Sequence, residues 1–153
     1  MSKAVLISIR PKWCGKIASG EKTIEVRKNR PKLAPPFKCY IYCTREKHLA
    51  FMQNQTGTNL ISCLDAETAI PVGGFVGNGK IIGEFVCDRI FPIDVYDNGC
   101  IKDWNFERMW QACLPYEGSA AYIGREKRGS GWHISDLVIY DMPKALDSVW
   151  AER

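Results

Sequence analysis

The sequence predicts a mostly β chain with short helices, an α+β fold arranged as a small β-barrel with helices at its mouth. Three observations predict it. Five or six runs rich in β-branched and aromatic residues recur along 153 residues, the helical patterns between them are short, and 13 glycines and 8 prolines punctuate the chain. That length suits one domain, residues 1–153, with a core of its own.

Taken in order, AVLISI (Ala4 to Ile9) is a short apolar run and reads as a strand. Pro11 then stands where a first helical turn tolerates it, and PKWCGKIASG reads as a short helix closed by Gly20. KTIEVRK alternates and reads as a second strand, three prolines break NRPKLAPP, and FKCYIYCT (Phe37 to Thr44) is a third, strongly β-prone strand. Residues 45–72 read as an elaboration on the core fold, holding either a helical turn or a hairpin, with NQTGTN as a loop. GFVG and KIIGEFVCDRIFPI are β segments, and Gly83 inside the longer one marks a bulge. NFERMWQACL has a helical pattern, YEGSAAYIG a further helical turn, and GWHISDLVIYDMP is the last strand.

Composition narrows the function. No apolar run approaches the roughly 18 residues of a membrane helix, and the N-terminal segment has too short an apolar core for a signal peptide. The expectation is a cytoplasmic protein without membrane partners. Seven scattered cysteines in such a chain read as free thiols. Cys39 and Cys43 share a strand face, but with only His48 and His133 to complete a set, buried apolar cysteine is expected rather than a metal site. No cofactor is expected: the Gly-rich VGGFVGNGK lacks phosphate-loop spacing, and no dinucleotide fingerprint, nucleophile elbow or zinc-protease helix appears. The formal charge of +4 hides an asymmetry. Residues 1–47 carry 12 bases against 3 acids, +9, and residues 48–153 carry 9 against 14, −5. A basic N-terminal third favours a polyanionic partner.

The stretch Ser19 to Pro31 sharpens this. Ile24 and Val26 share one face of the predicted strand, while Glu25 and Arg27 share the other, and Lys22 leans in from its entry. A carboxylate between two cations is expected to stay ionised and hold them in place. From spacing alone the same charges read as a surface cross-strand cluster worth about 0.2–1 kcal/mol per pair.

Gly20-Glu21-Lys22-Thr23-Ile24-Glu25-Val26-Arg27 fits G-x-K-x-x-E-x-R, the signature of the ASCH domain, and the chain resembles that family. ISIRPKWCGKIASG before it, and KIIGEFVCDRI and GWHISDLVIYD after it, are similar to the family's strands and first helix, while residues 45–72 and 98–114 fall outside the likeness. The resemblance implies a barrel of the PUA-like kind and a basic cleft that binds RNA or a nucleotide-like ligand, lined by Lys22, Glu25 and Arg27. Lys28 and Arg30 would extend its basic character, and Trp13 and Trp132 would stack on a base, although either also suits core packing. GREKRGSGWH (Gly124 to His133) could close over a phosphate, or serve as a polar connection.

Two other readings follow from the same resemblance. Some small ASCH-fold proteins hydrolyse acetylated cytidine, and others are ribonucleases. For such an enzyme Lys22 and Glu84 would take the family's lysine and glutamate roles, with His133 as a base. The family's threonine nucleophile falls at Glu25, which disfavours hydrolysis. A protein-interaction module in transcriptional regulation is a further reading, its protein partners unspecified.

Overall fold

The computed structural model describes residues 3–65, 67–98, 100–114 and 128–150. Eight strands and three short helices lie in them. β1 (Ala4–Ile9) runs into α1 (Pro11–Ala18), β2 (Ile24–Arg27) and β3 (Phe37–Cys43). There follow β4 (Leu49–Gln55), β5 (Thr58–Leu64), β6 (Phe75–Val76), β7 (Ile81–Asp94), α2 (Phe106–Gln111), β8 (Arg128–Lys144) and α3 (Leu146–Trp150).

The mostly β, α+β expectation holds. The hydrogen-bonded ladders do not close into a barrel, however. Five strands form one sheet in the order β1-β3-β7-β8-β2, and three form another in the order β5-β4-β6. β1 is parallel to β3, and the other neighbours in the large sheet are antiparallel. Its spine is the pair β7 and β8, whose register shifts three times, once around Gly83. There a Cβ would come within 2.5 Å of the Val138 carbonyl oxygen, so glycine lets the two backbones meet.

Residues 45–72 resolve as the hairpin alternative. β4 and β5 pair in register from Leu49↔Leu64 to Gln55↔Thr58, and the tip of the predicted NQTGTN loop is the turn at Thr56 and Gly57. α1 lies on this hairpin, and at Gly15 a Cβ would stand 3.0 Å from the Ile61 carbonyl oxygen. Pro11 starts α1, and Gly20 follows its Ser19 cap with φ +83, a value side-chain-bearing residues rarely adopt. α2 begins at Asn105, whose side-chain oxygen accepts from the Arg108 N–H at 2.8 Å. The YEGSAAYIG turn and the first part of the GREKRGSGWH loop lie outside the described residues; its remainder belongs to β8.

Two apolar clusters flank β2. The larger gathers Ile7, Ile17, Ile41, Met52, Phe85 and Trp132 among others. The smaller gathers Ile24, Val26, Phe91, Ile93, Met109 and Leu114. Cys39 and Cys43 are free thiols in the larger cluster, on one face of β3. Burial pushes the Cys39 thiol well up, as expected of inert core cysteine. Among the described residues no helix is long and apolar enough to cross a membrane.

Candidate functional site

Because β2 is flanked on both faces, its polar residues go inside. Ile24 and Val26 face the smaller cluster, so alternation turns Glu25 and Arg27 to the opposite side. Lys22 stands just before the strand. Its backbone N–H donates to the Lys16 carbonyl at 3.0 Å, and the next N–H, of Thr23, donates to the Gln111 carbonyl at 2.8 Å. The segment is thus clamped between the ends of α1 and α2.

Lys22 and Glu25 are 1% and 3% exposed, which rules out a surface charge cluster. The Lys22 ammonium lies 3.9 Å from Glu25 Oε1, donates to the Ala112 carbonyl at 2.5 Å, and stands 5.0 Å from the centre of the Trp13 ring. Glu25 Oε1 also accepts from the Val26 N–H at 3.0 Å. Arg27 is half-buried and reaches away, its Nη1 donating to the Ser8 carbonyl on β1 at 2.9 Å.

Burial corrects the expected electrostatics. It pushes the Glu25 carboxyl up, and the Lys22 and Arg27 charges and the Val26 N–H only partly offset it. Burial likewise pushes Lys22 down, with the Glu25 charge countering less than it costs. Two cations therefore do not hold the Glu25 pKa low. The sign for stability follows. A carboxyl raised on folding contributes stability that is fully present below its ordinary value of 4.5 and is lost as pH rises through the folded-state value. Lys22, depressed on folding, contributes stability present above 10.5 and lost as pH falls through its folded-state value. Urea unfolding of wild type and Glu25→Gln, from pH 4.5 upward to neutrality, is expected to show wild type losing stability relative to the variant as pH rises. One proton sets a limit of about 1.4 kcal/mol per pH unit. A relative gain with rising pH, the usual carboxylate pattern, would refute the direction.

Across the strand pair, Glu25 lies opposite Trp132 and Arg27 opposite Ser130, so these four share a face. Trp132 is 4% exposed and packs edge-on against Phe37 with ring centres 5.6 Å apart. Its ring takes the core-packing role, not an open stacking one. Its Nε1 and the Ser130 Oγ are both buried without a hydrogen-bond partner, two of three such side-chain atoms among the described residues; the third is Thr44 Oγ1. Trp13 is half-buried in α1, its ring 4.9 Å from the Lys12 ammonium. Lys28 and Arg30 are exposed beyond the strand and do not join the buried cluster.

The residues named for catalysis do not assemble. Glu84 lies opposite Tyr40, on the outer face of the sheet, where it pairs with Lys38 at 2.8 Å and accepts from the Tyr140 hydroxyl at 3.0 Å. His133 lies opposite Ile24, on the face Glu25 turns away from. Its Nδ1 is 2.6 Å from Asp88 Oδ1, and its ring meets Phe91 edge-on. Both therefore lie across the sheet from Glu25, a consequence of strand parity that register shifts hide from the sequence.

Sequence reasoning missed Ser130 and the Ala112 carbonyl. The only signal for Ser130 was its place between two glycines in GSGW, where small residues allow close approach. At Gly131 a Cβ would lie 2.9 Å from the Trp104 ring. The Ala112 carbonyl, at the end of a helix 90 residues on, had no signal.

No protein-family model and no curated protein matches the sequence. Solved structures do. The ASCH protein from Zymomonas mobilis superposes with a TM-score of 0.55 at 20% identity, over 97% of this chain and 77% of that one. Two single-substitution variants of it give 0.57 and 0.54 at 19% identity, over 97% of this chain and 79% and 78% of theirs. The chain has the fold of these ASCH proteins.

Proposed function

We propose that this chain is an ASCH-type module that binds RNA or a modified nucleotide, and that the buried face of β2 and β8 is its recognition pocket. One observation carries the reading. Ser130 Oγ and Trp132 Nε1 are left without partners on the same face as Glu25 and Arg27. A buried polar group left unpaired costs about 1–3 kcal/mol, so each calls for a partner, which a ligand on this face would supply. The chemistry is complementary to a base edge. The indole N–H only donates, the serine hydroxyl does both, the Lys22 ammonium donates, and Glu25 accepts or, protonated, donates. The ASCH fold and the G-x-K-x-x-E-x-R match support the same class of ligand.

The test exploits two effects of opposite sign. Ser130→Ala removes an unpaired hydroxyl and adds no volume, so the free protein is expected to be as stable or more stable, by up to about 1–3 kcal/mol. Its affinity for the nucleosides and nucleotides that wild type binds, read by calorimetry across a panel including modified bases, is expected to fall by about five- to tenfold. Trp132→Phe should lose affinity alike, but the smaller ring leaves a void in the core, so its stability is expected to fall and only its binding is diagnostic. A Ser130→Ala protein less stable than wild type, or either variant binding as well as wild type, would remove the pocket from consideration.

The hydrolase reading has no observation in its favour: Glu84 and His133 lie on the sheet face that Glu25 turns away from, paired with Lys38 and Asp88. Nor does any favour a protein-interaction role over nucleotide binding.

A further inference from the structure

On the sheet face that Glu25 turns away from, Phe91 is the hub of a second cluster of charged groups. Its ring belongs to the smaller apolar cluster. The Arg89 guanidinium, from β7, stands 4.9 Å from the ring centre, and the Arg108 guanidinium, from α2, stands 4.1 Å from it. Arg108 also lies 5.7 Å from the Trp104 ring, and the Trp104 and His133 rings meet Phe91 edge-on. Measured from one shared centre, the two guanidiniums are at most about 9 Å apart, inside the Debye length of ~10 Å at 0.1 M salt. Among the described residues neither has a counter-ion or a hydrogen-bond acceptor for its fork. The acids around them are engaged or turned aside. Asp88 lies 2.6 Å from His133 Nδ1, and Asp94 lies 3.8 Å from Arg128. Glu107 precedes Arg108 in α2, and consecutive helix residues do not face each other.

From this arrangement we infer that Arg89 and Arg108 form a binding site for a phosphate monoester, either a small free phosphate or one carried on a phosphorylated side chain. Two like charges held on one ring repel, and an anion between them replaces that repulsion with two attractions. A phosphate bonded from both sides at about 2.8 Å fills such a gap. The monoester is the anion that matches. Near neutral pH it carries nearly two charges and three terminal oxygens, enough for two forks at once. A carboxylate has one charge and two oxygens, which a single fork satisfies. A phosphodiester also has one charge, so the site sorts monoesters from a nucleic acid backbone. It lies across the sheet from Glu25, Ser130 and Trp132, and it stands whatever that pocket binds.

The probes are inorganic phosphate, a phosphoserine peptide and the diester dimethyl phosphate, titrated by calorimetry at mildly alkaline pH, where the dianion dominates. Wild type is expected to bind the first two, and the diester at least about tenfold more weakly. Arg89→Gln and Arg108→Gln should each weaken phosphate binding about tenfold. Lys32→Gln, which removes an exposed charge elsewhere, should leave it unchanged. Melting temperatures separate lost binding from a damaged fold. Arg89 is exposed, so its variant should melt like wild type without phosphate, yet lose the rise that phosphate gives wild type. A peptide bound at least about tenfold tighter than inorganic phosphate assigns the site to a phosphorylated side chain, and equal affinities assign it to a small phosphate. The inference is overturned if wild type binds neither monoester, if both arginine variants bind phosphate like wild type, or if the diester binds as tightly as the monoesters.

Discussion

Lys22→Met is expected to lower the unfolding free energy by about 3–5 kcal/mol at neutral pH, the cost of stranding one member of a buried ion pair. Lys22 is among the largest fully buried side chains of the protein. Methionine keeps most of its length and packing, so a cavity does not account for the loss. What goes is the charge 3.9 Å from Glu25 and the donor to the Ala112 carbonyl, which ends α2. A carboxylate is then left in the interior with Arg27 as its remaining cationic influence. Two controls separate this cause from general damage. Glu25→Gln in the Lys22→Met background should recover most of the loss, because both charges are then gone. The deficit of the single variant should also shrink as pH falls, since burial already raises the Glu25 pKa and protonation removes the stranded charge. Urea unfolding of the four proteins measures all of this. A single-variant loss under about 1 kcal/mol would mean that Lys22 reaches solvent when unpaired, and would sink the idea of a sealed pair.

That pair marks the boundary of what the sequence made legible. Strand parity put Glu25 and Arg27 on one face, and the β-branched runs, Pro11 and Gly20 located β1, α1, β2 and β3 within a residue or two. These are local signals, carried by neighbours in the chain. Burial of β2 on both sides is not local. It needs Phe91, Met109 and Leu114 from far along the chain, and no local pattern says that they fold back onto β2. Charges can be counted in a sequence and burial cannot, so the two cations beside Glu25 were visible and the larger effect, desolvation, was not. Parity also fails at a distance. Glu84 and His133 sit in strands whose register slips at several points, and each slip reassigns faces downstream. In β4 and β5 the polar residues Gln53, Asn54 and Asn59 obscured the alternation, which left the hairpin and a helical turn equally open. α3, five residues long, had no pattern to read.

The open sheet gives Arg27 a mechanical task, and Arg27→Met is expected to cost about 1.5–3 kcal/mol, the worth of a hydrogen bond from a charged donor. The sequence predicted a barrel, yet β1 and β2 are the two ends of the order β1-β3-β7-β8-β2 and share no ladder. What joins them is a side chain. Arg27, the last residue of β2, donates from Nη1 to the Ser8 carbonyl of β1 at 2.9 Å. Edge strands held by one neighbour fray more readily than central ones, so this bond ties down both free edges at once. Methionine retains the apolar stem and removes only the fork. The loss should therefore appear first at the seam: amides of Ala4–Ile9 and Ile24–Arg27 should exchange with deuterium faster, while those shared by β7 and β8 keep their protection. Because Arg27 shares its face with Glu25, Ser130 and Trp132, a loosened seam also opens the pocket those residues line, and nucleotide binding should weaken in step with exchange at β2. Unchanged exchange at both edges, with a stability loss below about 0.5 kcal/mol, would show that the sheet holds its curvature through the core alone and that Arg27 is free to serve a ligand.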